Sequence, residues 1–248
     1  MDRLKGKVAI IVGATSGIGE AMTNLFAQEG AKVVFTGRRE ELGKKIEADV
    51  RARGGEATFR RVDANSEAEL EALADFTAEK YGKIDILCNN AGILISNEFT
   101  QIDLEKDFDA TIATNLRSQF AMCKHTIPYM IRNGGGSIVN TASIGAFFAM
   151  PFQVSYAASK AGVKQMTRSL AIAYADKNIR VNCICPGLTH SGMEKSGDAF
   201  DNAVLPLVPV KRAAQPIEMA YGALYLASDE ASYTTGHDLI MTGGLGLQ

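Results

Sequence analysis

The sequence predicts an α/β protein built on one doubly wound, parallel, seven-stranded sheet with helices on both faces. Three observations predict it. Apolar, β-branched runs of strand length alternate with helical segments from residue 7 to residue 241. Glycines fall just past four of those helices, at Gly30, Gly54-Gly55, Gly82 and Gly134-Gly135-Gly136, where a left-handed residue closes a helix. Finally, 248 residues at 46% hydrophobic content can bury one large core, and no linker, repeat or low-complexity stretch divides residues 1–248 into more than a single domain.

The elements follow in order. Lys7 to Val12 is the first strand, because Val8-Ala9-Ile10-Ile11-Val12 is an unbroken apolar run, as in a strand covered on both faces. A glycine turn leads into a helix from Ile18 to Gln28. Ala31 to Thr36 is the second strand, followed by a helix from Glu40 to Arg53. Glu56 to Val62 and Ile84 to Cys88 are the third and fourth strands, with a helix from Glu67 to Tyr81 between them. A long helix, Leu104 to Arg132, precedes the fifth strand at Ser137 to Asn140. Another, Val154 to Asp176, precedes the sixth at Arg180 to Cys185. Pro216 to Ala227 is the last helix and Asp238 to Met241 the seventh strand.

Charge and composition narrow the functional classes. A net charge of −2, from 26 basic and 28 acidic residues, gives no electrostatic case for nucleic acid or an anionic membrane as partner. The amino terminus enters the first strand without a secretory hydrophobic segment, so a cytoplasmic location is expected. Cys88, Cys123, Cys183 and Cys185 lie in predicted strands or helices without CxxC or paired zinc spacing, and are expected to be core residues, with no metal site. His125, His190 and His237 are scattered.

Two motifs carry chemistry. Gly13-Ala14-Thr15-Ser16-Gly17-Ile18-Gly19 follows the first strand and opens a helix. Glycines let the backbone turn sharply and approach a pyrophosphate, and the helix amino end offers unpaired N–H groups and a positive dipole. The spacing is not the usual G-x-G-x-x-G, and a tight structural turn needs glycines too; placement at the end of the first strand strengthens the nucleotide reading. The second motif is Tyr156 and Lys160, four apart on one predicted helix and therefore on one face. A tyrosine with a reference pKa of about 10 is a poor acid at neutral pH, but a fixed cation beside it favours the phenolate. That is the chemistry of carbonyl–alcohol interconversion.

With these residues the chain resembles the short-chain dehydrogenase/reductase family over nearly its whole length. Gly13, Gly17 and Gly19 match the family's cofactor glycines, Asn89-Asn90-Ala91-Gly92 its segment after the fourth strand, and Pro186-Gly187 its turn under the nicotinamide. Asn115, Ser143, Tyr156 and Lys160 match its catalytic tetrad in order and spacing. Val12, Ser191 and Thr242 depart from it, standing where threonine, threonine and aspartate are frequent. The resemblance implies a Rossmann-type fold, and it implies cofactor contacts at Gly13, Thr15, Ser16, Gly17, Ile18, Gly19, Arg38, Arg39, Asp63, Ala64, Asn90, Ala91, Gly92, Tyr156, Lys160, Pro186, Gly187, Thr189 and Ser191. It further implies that Tyr156 exchanges a proton with the substrate oxygen, that Ser143 orients that oxygen, that Lys160 holds the ribose, and that Asn115 holds a water chain reaching Lys160. A homotetramer is expected on the same ground, helped by a glycine-rich carboxyl end, 243–247, suited to close packing against a partner.

Cofactor choice is read at the end of the second strand. Thr36-Gly37-Arg38-Arg39 has no carboxylate for the ribose hydroxyls; Gly37 leaves room and Arg38 offers a fork for a 2′-phosphate, with Arg39 as a second cation. NADP(H) is therefore expected, and use of NAD(H) as well stays open. Phe147, Phe148, Met150, Phe152, Met193, Leu205, Leu207 and Val208 can line an apolar substrate pocket, although such residues are more often core or subunit contacts. No Arg or Lys falls between Ser143 and Tyr156, which leans toward a bulky apolar ketone or alcohol such as a hydroxysteroid or cyclic alcohol. The connection 188–212 is long enough to be a mobile lid. A 3-oxoacyl-carrier-protein reductase and a non-catalytic nucleotide sensor remain as alternatives, whereas the four-residue tyrosine–lysine spacing disfavours an enoyl reductase.

Overall fold

A computed structural model of the chain describes residues 2–191 and 203–246. Its sheet has seven strands in the order β3-β2-β1-β4-β5-β6-β7, all parallel. The strands are β1 (Val8–Val12), β2 (Lys32–Gly37), β3 (Glu56–Arg61), β4 (Ile86–Asn89), β5 (Gly136–Thr141), β6 (Ile179–Pro186) and β7 (Asp238–Met241). Each lies within two residues of its expected bounds. Strand order reverses beside β1, whose neighbours are β2 and β4 in register Ile10↔Val34 and Ile10↔Leu87. The crevice at the carboxyl ends of β1 and β4 is where such sheets bind ligands.

Helices cover both faces because every residue of β1 is apolar and buried. Ala9 and Ile11 point into one core with Met22, Leu25 and Phe26 of α1 (Gly17–Gln28) and Leu224 of the last helix (Pro216–Ala227). Ile10 and Val12 point into the other, with Leu70 and Leu73 of α3 (Glu67–Tyr81) and Met122 of the long helix. Strand alternation thus feeds two hydrophobic layers, and each buried Ile or Leu contributes about 1.5–3 kcal/mol. The helix between, α2 (Glu40–Ala52), sets Ile46 and Val50 into the first core.

The long helical run 104–132, α4, is not uniform. It contains π-helical segments at Leu104–Asp109 and Ala113–Arg117 before the regular Ser118–Arg132. Asn115 sits in the second, the kind of local widening found mostly at functional sites. α5 (Val154–Tyr174) ends earlier than the sequence suggests, in a 3₁₀ turn closed by Asn178 at φ 57°, since asparagine tolerates the left-handed region.

The expected lid falls partly on 192–202, with Met193, outside the described residues. On its flanks, Leu188, Val208 and Ala213 are buried together with Val204, Leu205 and Leu245 against them. At the carboxyl end, Gly243 and Gly244 pack against this chain's own Val210 and Pro209. Among the described residues, no helix is long and apolar enough to cross a membrane.

Candidate active site

The carboxyl ends of β1, β2, β4, β5 and β6 open into one cleft of about 800 Å³. At one end stand Arg38 and Arg39, at the other Ser143, Met150, Gln153 and Tyr156, with Pro186 and Gly187 along one wall. Of the residues named from sequence, Gly13, Thr15, Ser16, Gly17, Ile18, Arg38, Arg39, Asp63, Ala64, Asn90, Ala91, Gly92, Ser143, Tyr156, Lys160, Pro186, Gly187, Thr189 and Ser191 all line it. Gly19 and Asn115 do not. Gly19 is a packing residue: a Cβ there would stand 2.7 Å from Ala14 Cα and 2.8 Å from Asn90 Nδ2.

The glycine turn is shaped by close approach. Gly13 at φ 79° and Gly17 at φ 58° adopt left-handed backbone, and a Cβ would lie 2.5 Å from Ala91 Cα and 2.6 Å from Ser191 O. Asn90 fixes the turn by donating from Nδ2 to the Gly13 carbonyl at 2.8 Å. The amino end of α1 follows, with Ser16 making no side-chain cap, so its first N–H groups are left for an anion. Arg39 folds back over this turn, donating to Thr15 Oγ1 at 3.1 Å and Ser16 Oγ at 2.6 Å. Arg38 is exposed and, among the described residues, has no side-chain partner. Gly37 corrects an expectation: the space beside it is taken by Thr15, whose Cγ2 would be 2.6 Å from a Cβ at position 37. Its carboxylate variants are therefore poor tests of cofactor choice. Asp63, also on the cleft, accepts the Asn65 N–H at 3.0 Å. An elongated cleft, an uncapped helix amino end and cations at one extremity fit a dinucleotide.

The catalytic end is built from β5 and α5. Lys160, 2% exposed, donates from Nζ to the Thr141 carbonyl at 2.8 Å, and Nζ lies 5.6 Å from the centre of the Tyr156 ring. Burial lowers the pKa of this ammonium from 10.5 to about 8, partly countered by the Cys185 and Cys183 sulfurs. Gln119 Nε2 donates to the same Thr141 carbonyl at 3.3 Å. Ser143, at the end of β5, accepts the Gly145 N–H on Oγ at 3.0 Å. That bond uses an acceptor site and leaves the hydroxyl hydrogen to donate to a substrate oxygen.

Asn115 lies one layer behind. Its Oδ1 accepts the Ile93 N–H at 2.7 Å, and its Nδ2 donates to the Ile93 carbonyl at 2.9 Å and to Ser159 Oγ at 3.1 Å. Ser159 in turn donates to the Tyr156 carbonyl at 2.7 Å. The side chain thus clamps Ile93, a cleft residue, to the Tyr156 helix.

Among the described residues expected to line a pocket, Met150 alone lines the cleft; Phe147 packs beneath Lys164, and Phe148, Phe152 and Leu207 are exposed. Thr141, Gln119, Ile93 and Gln153 were not singled out by sequence; the spacing of Gln153, three before Tyr156, is the one local signal among them. The four cysteines are buried core residues, as expected. Cys183 and Cys185 alternate along β6 on one face, with sulfurs 3.6 Å apart, and the Cys183 thiol donates to Asp238 Oδ1 at 3.1 Å. Donor atoms of the three lie within 4.8 Å of one another. Asp238 is also paired with Arg168. Cys88 and Cys123 are buried core thiols; Cys123 accepts from Asn89 Nδ2 at 3.4 Å, and burial pushes its thiol up to about 12.

A family model described as enoyl-(acyl carrier protein) reductase matches residues 13–246. The 7α-hydroxysteroid dehydrogenase of Clostridium sardiniense is 37% identical over 100% of this chain and 96% of its own. The 3-oxoacyl-[acyl-carrier-protein] reductase of Thermotoga maritima is 39% identical over 98% of this chain and 99% of its own. A solved 7α-hydroxysteroid dehydrogenase complexed with NADH and 7-oxo glycochenodeoxycholic acid superposes with a TM-score of 0.94 at 38% identity, covering 98% of this chain and 95% of that one. Likeness of this extent, over the same sheet and cleft, is decisive: the chain belongs to the short-chain dehydrogenase/reductase family, oxidoreductases that act on CH–OH groups.

Proposed function

We propose that this oxidoreductase interconverts a secondary alcohol and a ketone with NADP(H), acting on a bulky, largely apolar substrate of the hydroxysteroid or cyclic-alcohol kind. The observation that carries it is the buried Lys160 ammonium against the Tyr156 ring on the wall of the cleft. In reduction Tyr156 gives its proton to the carbonyl oxygen, and in oxidation it takes the proton from the hydroxyl. The Ser143 hydroxyl donates to that oxygen and fixes its position. The Lys160 cation stabilises negative charge on the phenol oxygen. The nicotinamide, when bound, supplies or takes up the hydride.

Apolar side chains at the substrate end, Ile93, Leu94, Ile144, Met150, Val204 and Leu245, support a hydrophobic substrate, as does the likeness to enzymes named for hydroxysteroids. The likeness to 3-oxoacyl-carrier-protein reductases keeps that activity as a second reading. The four-residue spacing of Tyr156 and Lys160 supports carbonyl reduction over enoyl reduction. A panel of ketones, hydroxysteroids and 3-oxoacyl thioesters, followed by absorbance of the reduced nicotinamide, separates these readings. Turnover of thioesters alone would replace the first by the second.

Arg38, without a side-chain partner among the described residues and on the cleft beside Arg39, supports the choice of NADP(H). Arg38→Ala is expected to lower kcat/KM for NADPH by about tenfold to hundredfold, the worth of one charge-assisted bond, with a smaller effect on NADH. Titration of both cofactors checks it; a wild type that prefers NADH removes the arginine argument.

Assembly into a homotetramer is supported by an apolar groove of about 550 Å³ between α4 and α5, lined by Ile112, Leu116, Phe120, Met166 and Leu170. Phe120 is 58% and Ile172 83% exposed on the isolated chain. Light scattering is expected to give a mass near four times the 26.5 kDa of one chain, and Phe120→Glu to yield smaller species. A monomer at all concentrations would refute the assembly.

A further inference from the structure

Gln153 immediately precedes α5 and stands three residues ahead of Tyr156 on the same cleft wall. It is 5% exposed. Buried side-chain amides in folded proteins are normally hydrogen-bonded, yet Gln153 Oε1 is sealed from solvent and has no partner. Its side chain does not cap the helix either. The main chain does the structural work: Gln153 N donates to the Met150 carbonyl at 2.9 Å, and the Gln153 carbonyl accepts the Ala157 N–H at 2.8 Å. Ile144, Met150, Val204 and Leu245, which line the same cleft, carry no hydrogen-bonding side chain except the weak acceptor sulfur of methionine. The amide is therefore a buried polar group of the cleft that also holds Tyr156, with its oxygen unpaired.

We propose that Gln153 is a substrate-recognition residue whose side-chain amide rotates toward the cleft and takes a hydrogen bond from a second hydroxyl of the substrate, so that hydroxylated ketones and diols are preferred over simple ones. This rests on the reading of Tyr156 as the group that protonates the ketone. Gln153 precedes Tyr156 by less than one helical turn, so the second hydroxyl is expected on the same ring system as the reacting oxygen. A hydroxyl suits the site because it donates to the amide oxygen or accepts from its NH₂. A ligand lacking it leaves the buried amide unpaired in the complex, and one such neutral bond discriminates by about tenfold to hundredfold.

The test compares full-length wild type with Gln153→Leu and Gln153→Met by two readouts. Melting of the protein without substrate is expected to rise by about 2–4 °C in the variants, because an unpaired buried amide is removed and no hydrogen bond is lost. A fall of that size in both would make Gln153 structural and overturn the proposal. The second readout is the ratio of kcat/KM for cyclohexanediols over cyclohexanol, and for a 3,7-dihydroxysteroid over its 3-hydroxy counterpart, in the oxidative direction. Wild type is expected to favour the hydroxylated member of a pair by about tenfold or more, and the variants to bring that ratio to near unity. A ratio that is the same in wild type and variants, or near unity in wild type, overturns this proposal and leaves the alcohol–ketone reading intact. Wild type that turns over no alcohol or ketone overturns both.

Discussion

Tyr156→Phe is expected to lower turnover of ketone or alcohol by about a hundredfold to ten-thousandfold while the protein stays folded and binds NADPH. The ring remains to fill its place on α5, and only the oxygen that carries the proton is removed. Its position is over-determined by the structure: Ser159 donates to the Tyr156 carbonyl, Asn115 donates to Ser159, and Asn115 also grips both backbone groups of Ile93. None of these bonds involves the phenol, so the variant leaves them intact. kcat falls with a smaller change in KM, since the lost group acts on the reacting oxygen in the transition state. Initial rates with NADPH, alongside NADPH binding and melting of the same preparation, decide it. Near-normal kcat would remove Tyr156 from the mechanism, whereas loss of binding together with kcat would make it a structural residue.

What the sequence discloses about this site is governed by how local each relation is. Tyr156 and Lys160 are one helical turn apart, and Gly13 to Gly19 is one strand–turn–helix, so chain geometry alone brings them together. Thr141 is different: its carbonyl becomes the anchor of Lys160 only because β5 and α5 pack face to face, and any residue type could supply a carbonyl. Gln119 reaches the same oxygen from α4 and is equally invisible. The tetrad asparagine is recognisable by position, but its work, a clamp on Ile93, depends on a π-helical turn at Ala113–Arg117 that no periodicity of apolar residues announces. Gly37 illustrates a limit of another kind: a glycine in sequence reads as free space, and here that space holds Thr15. Cys183 and Cys185 read as unconnected core residues when CxxC is sought, because the two-residue period of a strand places i and i+2 on one face.

Lys160→Met is expected to cost at least a hundredfold in turnover and to weaken NADPH binding, yet to raise the melting temperature at neutral pH. A buried ammonium with its pKa lowered from 10.5 to about 8 is held at a cost of about 3 kcal/mol relative to the unfolded chain. Methionine fills similar volume without charge. It forfeits the bond to the Thr141 carbonyl, about 1 kcal/mol, while Gln119 still donates to that oxygen. The balance is about 2 kcal/mol in favour of the variant, or roughly 4–8 °C in a chain of this size. The pH dependence has a fixed sign. Between pH about 8 and 10.5 the unfolded lysine still binds a proton that the folded one has released, so wild-type stability gains on the variant as pH rises through that window. Below pH about 8 the gap is constant, and toward pH 10.5 it closes. Wild-type ketone reduction falls as pH rises through about 8, where the cation beside Tyr156 is lost. Melting curves of both proteins from pH 6 to 10.5 give the stability half, and rate profiles the catalytic half. A variant less stable than wild type at neutral pH would show that Lys160 serves the fold, because only a charge kept for chemistry is worth holding dry at this cost.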